Sequence, residues 1–170
     1  MSNKKTVAIL NVSNNNVILL ATHFAREHAV LLFDTDQKLL SRIYAQLLLE
    51  NPNAQVEPMF CPTNASWEAD IIVVSDNAFA NESLIQQIRK VSTGKIVLIL
   101  ENITDKKNKN SYFEDLFPFS KVISCCEEKA DAMATFSLKG NDVQALATLV
   151  TFFTTIGLKI NVIFSSTINA

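Results

Sequence analysis

The sequence predicts an α/β fold: a doubly wound, mainly parallel sheet with helices on both faces. Three observations lead there. Strand-like and helix-like segments alternate along the whole chain. Two of the strand segments, Ala29–Phe33 and Asp70–Val74, are near-continuous apolar runs, the pattern of parallel strands buried on both faces. No linker, repeat or change of composition divides the 170 residues, so 1–170 reads as a single domain with one substantial core.

Taken in order, Thr6–Leu10 is a buried first strand and residues 17–25 an apolar helix, joined by Asn11-Val12-Ser13-Asn14-Asn15-Asn16. After the second strand, Ala29–Phe33, the run Asp34-Thr35-Asp36 supplies N-caps for a helix whose Leu39, Leu40, Ile43, Tyr44, Leu47 and Leu48 share a face. Asn51-Pro52-Asn53 stops that helix. A third strand, residues 55–60, carries Pro58 and so belongs at an edge. Asn64–Ala69 reads as a short helical turn with Trp67 as a packing anchor. The fourth strand, Asp70–Val74, leads to a helix over 80–92 with Leu84, Ile85, Ile88 and Val91 inward. Residues 95–100 form the fifth strand, followed by a charged polar loop at 105–110 that reads as a solvated tip. A turn at 112–116 precedes the sixth strand, 121–124; residues 132–138 alternate as a further strand, antiparallel in one reading. Lys139-Gly140-Asn141-Asp142 turns into a last helix, 142–156, stopped by Gly157 and followed by a final strand, 158–164, and a frayed tail. In that last helix, Phe152 and Phe153 are expected not to face the same core, which leaves a homodimer contact through the C-terminal helix open beside a helix wedged against the sheet.

Composition narrows the function classes. The chain is 48% hydrophobic and 19% charged, which argues against disorder. A net charge of −2 offers no basic surface for nucleic acid. The polar start, Met1 to Lys5, lacks the apolar stretch of a signal peptide, and no apolar run approaches the ~20 residues that span a bilayer, so a cytoplasmic protein is expected. In that setting the Asn-x-Ser/Thr triplets at Asn11, Asn64, Asn81 and Asn102 carry no glycosylation meaning. Three cysteines, Cys61, Cys125 and Cys126, an odd count without secretion signals, argue against a disulfide framework, and the vicinal pair reads as small buried apolar residues. His23 and His28 read as helix-surface or helix-end residues without metal spacing.

The anomaly is glycine. Only Gly94, Gly140 and Gly157 occur, against an average near ~7% of residues. A first strand running into a helix is where dinucleotide-binding domains keep a glycine-rich phosphate loop. Here the loop is asparagine-rich, and asparagine is the side chain best able to take over left-handed turn positions.

Four segments together, Thr6–Leu10, Asn64–Val74, Lys95–Asn102 and Gly140-Asn141-Asp142, give the chain its resemblance to the deazaflavin-dependent NADP reductase-like (NADP oxidoreductase) family of Rossmann proteins, as a degenerate member lacking the glycine-rich loop. The resemblance implies a Rossmann-like sheet, an NADP-type cofactor and dimers built on C-terminal elements. It also locates the departures. Asn11, Asn14 and Val17 stand where the family's loop has glycines. Asn11 can still make the tight turn; Asn14 puts a side chain where phosphate meets backbone; Val17 separates helix from strand or occupies ligand space. Asp34-Thr35 replaces the family's Ser-Arg pair, so NAD is favoured over NADP if a dinucleotide binds at all; equally, Asp34 can cap the following helix. Ser75-Asp76-Asn77 replaces small residues and proline beside the nicotinamide. Ile103 replaces the proline after Asn102, and Ser124-Cys125-Cys126-Glu127 matches none of the family's substrate-side residues.

The candidate crevice residues are therefore Asn11, Val12, Ser13, Asn14, Asn15, Asp34, Thr35, Ser75, Asp76, Asn77 and Asn102, with no catalytic acid or base assigned and no metal. Three readings follow: a repurposed domain without normal dinucleotide binding or catalysis that takes another small molecule, an NAD-linked oxidoreductase with an asparagine-based loop, or a dimeric interaction module.

Overall fold

The computed structural model describes residues 4–13, 15–101, 110–128 and 135–164, and leaves the side chains of residues 15, 16 and 110 undescribed. The strands are β1 (Thr6–Leu10), β2 (Ala29–Phe33), β3 (Val56–Pro58), β4 (Ile71–Ser75), β5 (Ile96–Glu101), β6 (Lys121–Glu128), β7 (Thr135–Gly140) and β8 (Lys159–Phe164). The helices are α1 (Asn15–Glu27), α2 (Gln37–Glu50), α3 (Pro62–Glu68), α4 (Glu82–Arg89), α5 (Asn110–Leu116) and α6 (Val143–Thr155). One sheet runs in the order β3-β2-β1-β4-β5-β6-β7-β8. β6 and β7 pair antiparallel and every other neighbouring pair is parallel. This is the doubly wound Rossmann-like sheet the sequence predicts. Chain order reverses between β1 and β4, so the crevice beyond their C-terminal ends is the topological switch point where such sheets bind ligands.

Alternate residues of each central strand face opposite layers, which splits the core in two. Val7 and Ile9 face Leu20 and Phe24 of α1, Leu40, Ile43 and Leu47 of α2, and Leu146, Leu149 and Phe153 of α6. Ala8 and Leu10 face Ala65 of α3, Leu84, Ile85 and Ile88 of α4, and Phe113 and Phe117 at α5. Each large apolar side chain so buried contributes about 1.5–3 kcal/mol. β3 is short and lies at the edge, as Pro58 requires.

Several local expectations change. The helix expected over 80–92 is two elements: a 3₁₀ turn, Asp76–Ala80, and then α4. The break falls at Asn81, whose side-chain oxygen accepts the Leu84 N–H at 3.1 Å and starts a new helix. Trp67 is no packing anchor. It is 68% exposed in the last turn of α3, with the Lys95 ammonium 5.9 Å from its ring centre. That ammonium donates to the Ser66 carbonyl at 2.7 Å and also to the Trp67 carbonyl. Phe152 and Phe153 do share one core. Both pack on Phe24, at 5.0 and 5.7 Å between ring centres, because α6 presents an apolar arc wide enough for adjacent positions. His28 stands at the end of α1 but is buried, stacked on Phe152. Cys125 is buried, whereas Cys126 is only half-buried. Residues 105–109 and 165–170, read above as a polar tip and a frayed tail, lie outside the described residues. Among the described residues no helix is long and apolar enough to cross a membrane.

Candidate functional site

The loop after β1 turns on Asn11, which has φ +65°, the left-handed conformation that favours glycine and that asparagine tolerates best among the rest. Its N–H extends the β1–β2 ladder to the Phe33 carbonyl at 2.9 Å, and its side-chain oxygen accepts the Ser13 hydroxyl at 2.7 Å. Val12 then drops its side chain into the core, fully buried, and presents its N–H to Asp34.

Asp34 is the hub of the crevice. It is 5% exposed. One carboxylate oxygen accepts the Val12 N–H at 2.9 Å and the other accepts the Asp36 N–H at 2.8 Å. The carboxylate thus ties the loop after β1 to the loop after β2. It does not cap α2. That role belongs to Asp36, which accepts the N–H groups of Lys38 and Leu39 at 3.0 and 3.1 Å. Val17, in the first turns of α1, is buried in the same cluster as Val12, Leu20 and Val73. The β-branched side chain therefore serves as helix–sheet packing.

The 3₁₀ turn after β4 lies across from this hub and bounds a partly open cavity of about 190 Å³. Asn11, Phe33, Asp34 and Thr35 form one wall and Asn77, Ala78, Ala80, Asn81 and Leu84 the other. Four expected residues, Asn11, Asp34, Thr35 and Asn77, are thereby brought together. Ser13 lies instead in an open hollow of about 470 Å³ with Asp36, Lys38, Leu39 and Arg42. Ser75 is fully buried at the end of β4, and its hydroxyl has no partner among the described residues. Asp76 starts the 3₁₀ turn without lining the cavity. Asn15 begins α1, with its side chain outside the described set; Asn14 and Asn102 lie outside it entirely. The second wall was missed by the sequence reading. The signal was present: Asn81 followed three residues on by an apolar run is an N-cap pattern, and recognising it separates the 76–80 turn from α4.

In the cavity wall the Asn81 oxygen caps α4 and the Asn11 oxygen accepts the Ser13 hydroxyl, beside the Asp34 carboxylate. The crevice rim is acidic. Burial pushes the Cys126 thiol up, and the carboxylates of Glu101, Glu128, Glu127 and Asp76 push it further. Burial is the main cause that pushes the Cys125 thiol well above its ordinary range, with Cys126, Glu101 and Glu127 adding to it. Cys125 packs in the core, and neither thiol is placed to be a reactive thiolate.

No family model matches the chain, and no curated protein does. Solved structures do match. A candidate F420 dependent NADP-reductase from Arthrobacter superposes with a TM-score of 0.71 at 17% identity, over 94% of this chain and 84% of that one. A UDP-glucose dehydrogenase from Pyrobaculum islandicum gives a TM-score of 0.74 at 12% identity, over 96% and 47%. A 3-hydroxyisobutyrate dehydrogenase from Mycobacterium tuberculosis gives 0.68 at 16%, over 95% and 55%. The chain thus spans about half the length of the two dehydrogenases it matches. At these identities the likeness is one of fold: the chain shares the Rossmann-like α/β architecture of these structures.

Proposed function

We propose that this is a Rossmann-like domain that has given up ordinary dinucleotide binding and catalysis, and that holds a compact, neutral or cationic polar molecule in the Asn11–Asp34–Asn81 cavity. The observation that carries the reading is the hydrogen bond from the Val12 N–H to Asp34. A phosphate loop turns its N–H groups outward to an anion. Here a resident carboxylate already holds one of them, and an incoming phosphate meets that negative charge. The volume agrees, since about 190 Å³ is below the ~300–1,000 Å³ usual for larger ligands. Calorimetric titration with NAD and NADP tests it. No heat of binding at millimolar nucleotide is expected, and micromolar affinity for either sinks the proposal.

A second reading, an NAD-linked oxidoreductase, draws support from the dehydrogenase names among the structural neighbours and from the intact turn at Asn11. On that reading NAD, more than NADP, raises the melting temperature, with about 2.7 kcal/mol of stabilisation at one hundred times the dissociation constant. The two readings predict opposite outcomes of the same titration.

A homodimer is compatible with either. Its support has moved from Phe152 and Phe153, both buried, to the adjoining edge strand β8. There Val162, Ile163 and Phe164 are exposed beside an α6 surface with no charged residue. Antiparallel pairing of two β8 strands sets Lys159 opposite Phe164 and leaves no like charges facing each other. Sedimentation showing a concentration-independent monomer argues against it.

A further inference from the structure

Charge is spread over the helices of this chain, except that α6 carries none. Each of the other described helices has at least one charged residue, whereas α6 has no Asp, Glu, Lys or Arg. Its inward face is Ala145, Leu146, Leu149, Phe152 and Phe153, all buried. Val143, Ala147, Thr151, Thr154 and Thr155 are exposed on the other side. A solvent-facing helix ordinarily puts charged residues on its outer face, and depletion of charge marks the core of an interface.

The hydroxyls on that exposed face are satisfied without water. Thr148, Thr151, Thr154 and Thr155 donate to the carbonyls of Gln144, Ala147, Val150 and Thr151 at 2.8, 3.1, 2.7 and 2.8 Å. Covering the face therefore leaves none of these donors unmade, which is the loss that opposes burial of polar groups. The two edges of the sheet differ in the same sense. β3 is short, with Glu57 exposed and Pro58 beside it, devices that keep an edge from pairing. β8 runs for 6 residues without proline and ends in Val162, Ile163 and Phe164, all exposed. Ile160 packs on the layer that contains α6, and alternation puts Val162 and Phe164 on that same side.

From these features we infer that the exposed face of α6, with the α6-side residues of β8, is the contact surface of a two-fold dimer of this chain. A second copy is the fitting occupant because a two-fold axis sets a surface against itself, so that any charge near the axis meets its like. α6 brings no charge, and the one charge on β8, Lys159, lies at the strand's start. Two β8 edges joined antiparallel place both α6 helices on the same face of one continuous sheet, the face that also carries Val162 and Phe164. The surface offers about fourteen exposed or half-buried residues a copy, against about 20–30 in a standard interface, so it buries roughly 900 Å² in total and the dimer is a reversible one. This deepens the homodimer considered above and does not depend on what the crevice binds.

Sedimentation velocity over about 1 to about 500 µM protein tests it, with thermal melting to confirm that each variant is folded. The expected result is a monomer–dimer equilibrium with a dissociation constant on the order of 10–100 µM and no larger species. Thr151→Glu adds a carboxylate to each copy of an uncharged contact and should weaken association at least about tenfold. Thr151→Ala removes a hydroxyl bonded only within its own helix and should leave association within about twofold. Leu49→Lys, at an 85% exposed position on α2, should leave it unchanged. Growth beyond the dimer, association of Thr151→Glu equal to the parent's, or equal weakening by Leu49→Lys overturns the inference. A dimer that withstands Thr151→Glu but is lost in Val162→Lys removes α6 from the interface and leaves a β8 homodimer standing. A monomer at every concentration removes both, and none of these outcomes bears on the nucleotide titration of the crevice.

Discussion

Replacing Asp34 by alanine is the most direct probe of how this crevice is built. The substitution removes two hydrogen bonds to a carboxylate, at 2.9 Å from Val12 and 2.8 Å from Asp36. The two losses are unequal. The Asp36 N–H lies nearer solvent and regains water, whereas the Val12 N–H is buried and is left without an acceptor, which costs about 1–3 kcal/mol. Adding the lost bond at Asp36 gives a destabilisation of about 2–4 kcal/mol. For a chain of this length that lowers the melting temperature by roughly 5–15 °C. Asp34→Asn keeps one acceptor oxygen and should lose about half as much. Urea denaturation gives the free energies, and amide hydrogen exchange gives the local signature: the Val12 N–H is protected in the parent and exchanges early in Asp34→Ala. A variant within about 0.5 kcal/mol of the parent, with Val12 still protected, refutes the reasoning. If instead stability is unchanged but NAD protects the parent and not the variant, Asp34 is a ligand group and the repurposed-domain reading falls with it.

Four further outcomes are expected. Asn11→Gly should stay within about 0.5 kcal/mol of the parent in urea denaturation, whereas Asn11→Ala should cost about 1–2 kcal/mol, because φ +65° is strained for a Cβ without asparagine's local bonding. Gly140→Ala should cost about 1–3 kcal/mol by thermal melting, since a Cβ there meets Ile123 Cδ1 at 2.3 Å and the Val122 carbonyl oxygen at 3.0 Å, and the latter is backbone that cannot step aside. Asp142→Ala should cost about 1 kcal/mol by removing the acceptor 2.7 Å from the Ala145 N–H at the start of α6. His28 binds its proton less readily folded than unfolded, burial being the main cause, so the unfolded state takes up the extra proton as pH falls through 6.5. The His28 contribution is therefore complete above that value and lost progressively below it, and the parent's stability should fall between pH 7 and 5 more steeply than that of His28→Phe.

What the sequence made legible was whatever depends on local pattern. β1, β2 and β4 are short apolar runs with no competing periodicity, and their parallel pairing follows from alternation with helices. Asn11 was legible too, because a left-handed turn without glycine leaves asparagine as the natural occupant. The misses are tertiary. Asp34 and Asp36 are equivalent as N-cap candidates in one dimension, and only the approach of the Val12 N–H from another strand separates them. His28 looks like any helix-end histidine until α6 brings Phe152 over its ring. Phe152 and Phe153 were divided between two environments because a single-helix view could not know that Phe24 lies between them. Trp67 reads as a packing anchor by residue type, yet its backbone carbonyl, with that of Ser66, serves the Lys95 ammonium and its ring stays outside.

Charge runs along the parallel strands in a consistent sense, and this bears on every ligand considered above. The C-terminal ends carry Asp34 after β2, Asp76 after β4, Glu101 ending β5 and Glu127 near the end of β6. At the N-terminal ends Lys5 precedes β1, Lys95 precedes β5 and Lys121 begins β6, with Asp70 before β4 as the exception that accepts the Thr6 N–H. A dinucleotide domain docks its pyrophosphate at the strand C-termini. There the first helix end is the one fixed source of positive potential, and here the Val12 N–H at its approach is already held by a carboxylate. Among the described residues, these carboxylates disfavour an anion at the ends of the strands that carry them. On the function proposed above, a loop without glycine, the acidic strand ends and the Asp34–Val12 bond act together to favour uncharged or cationic molecules.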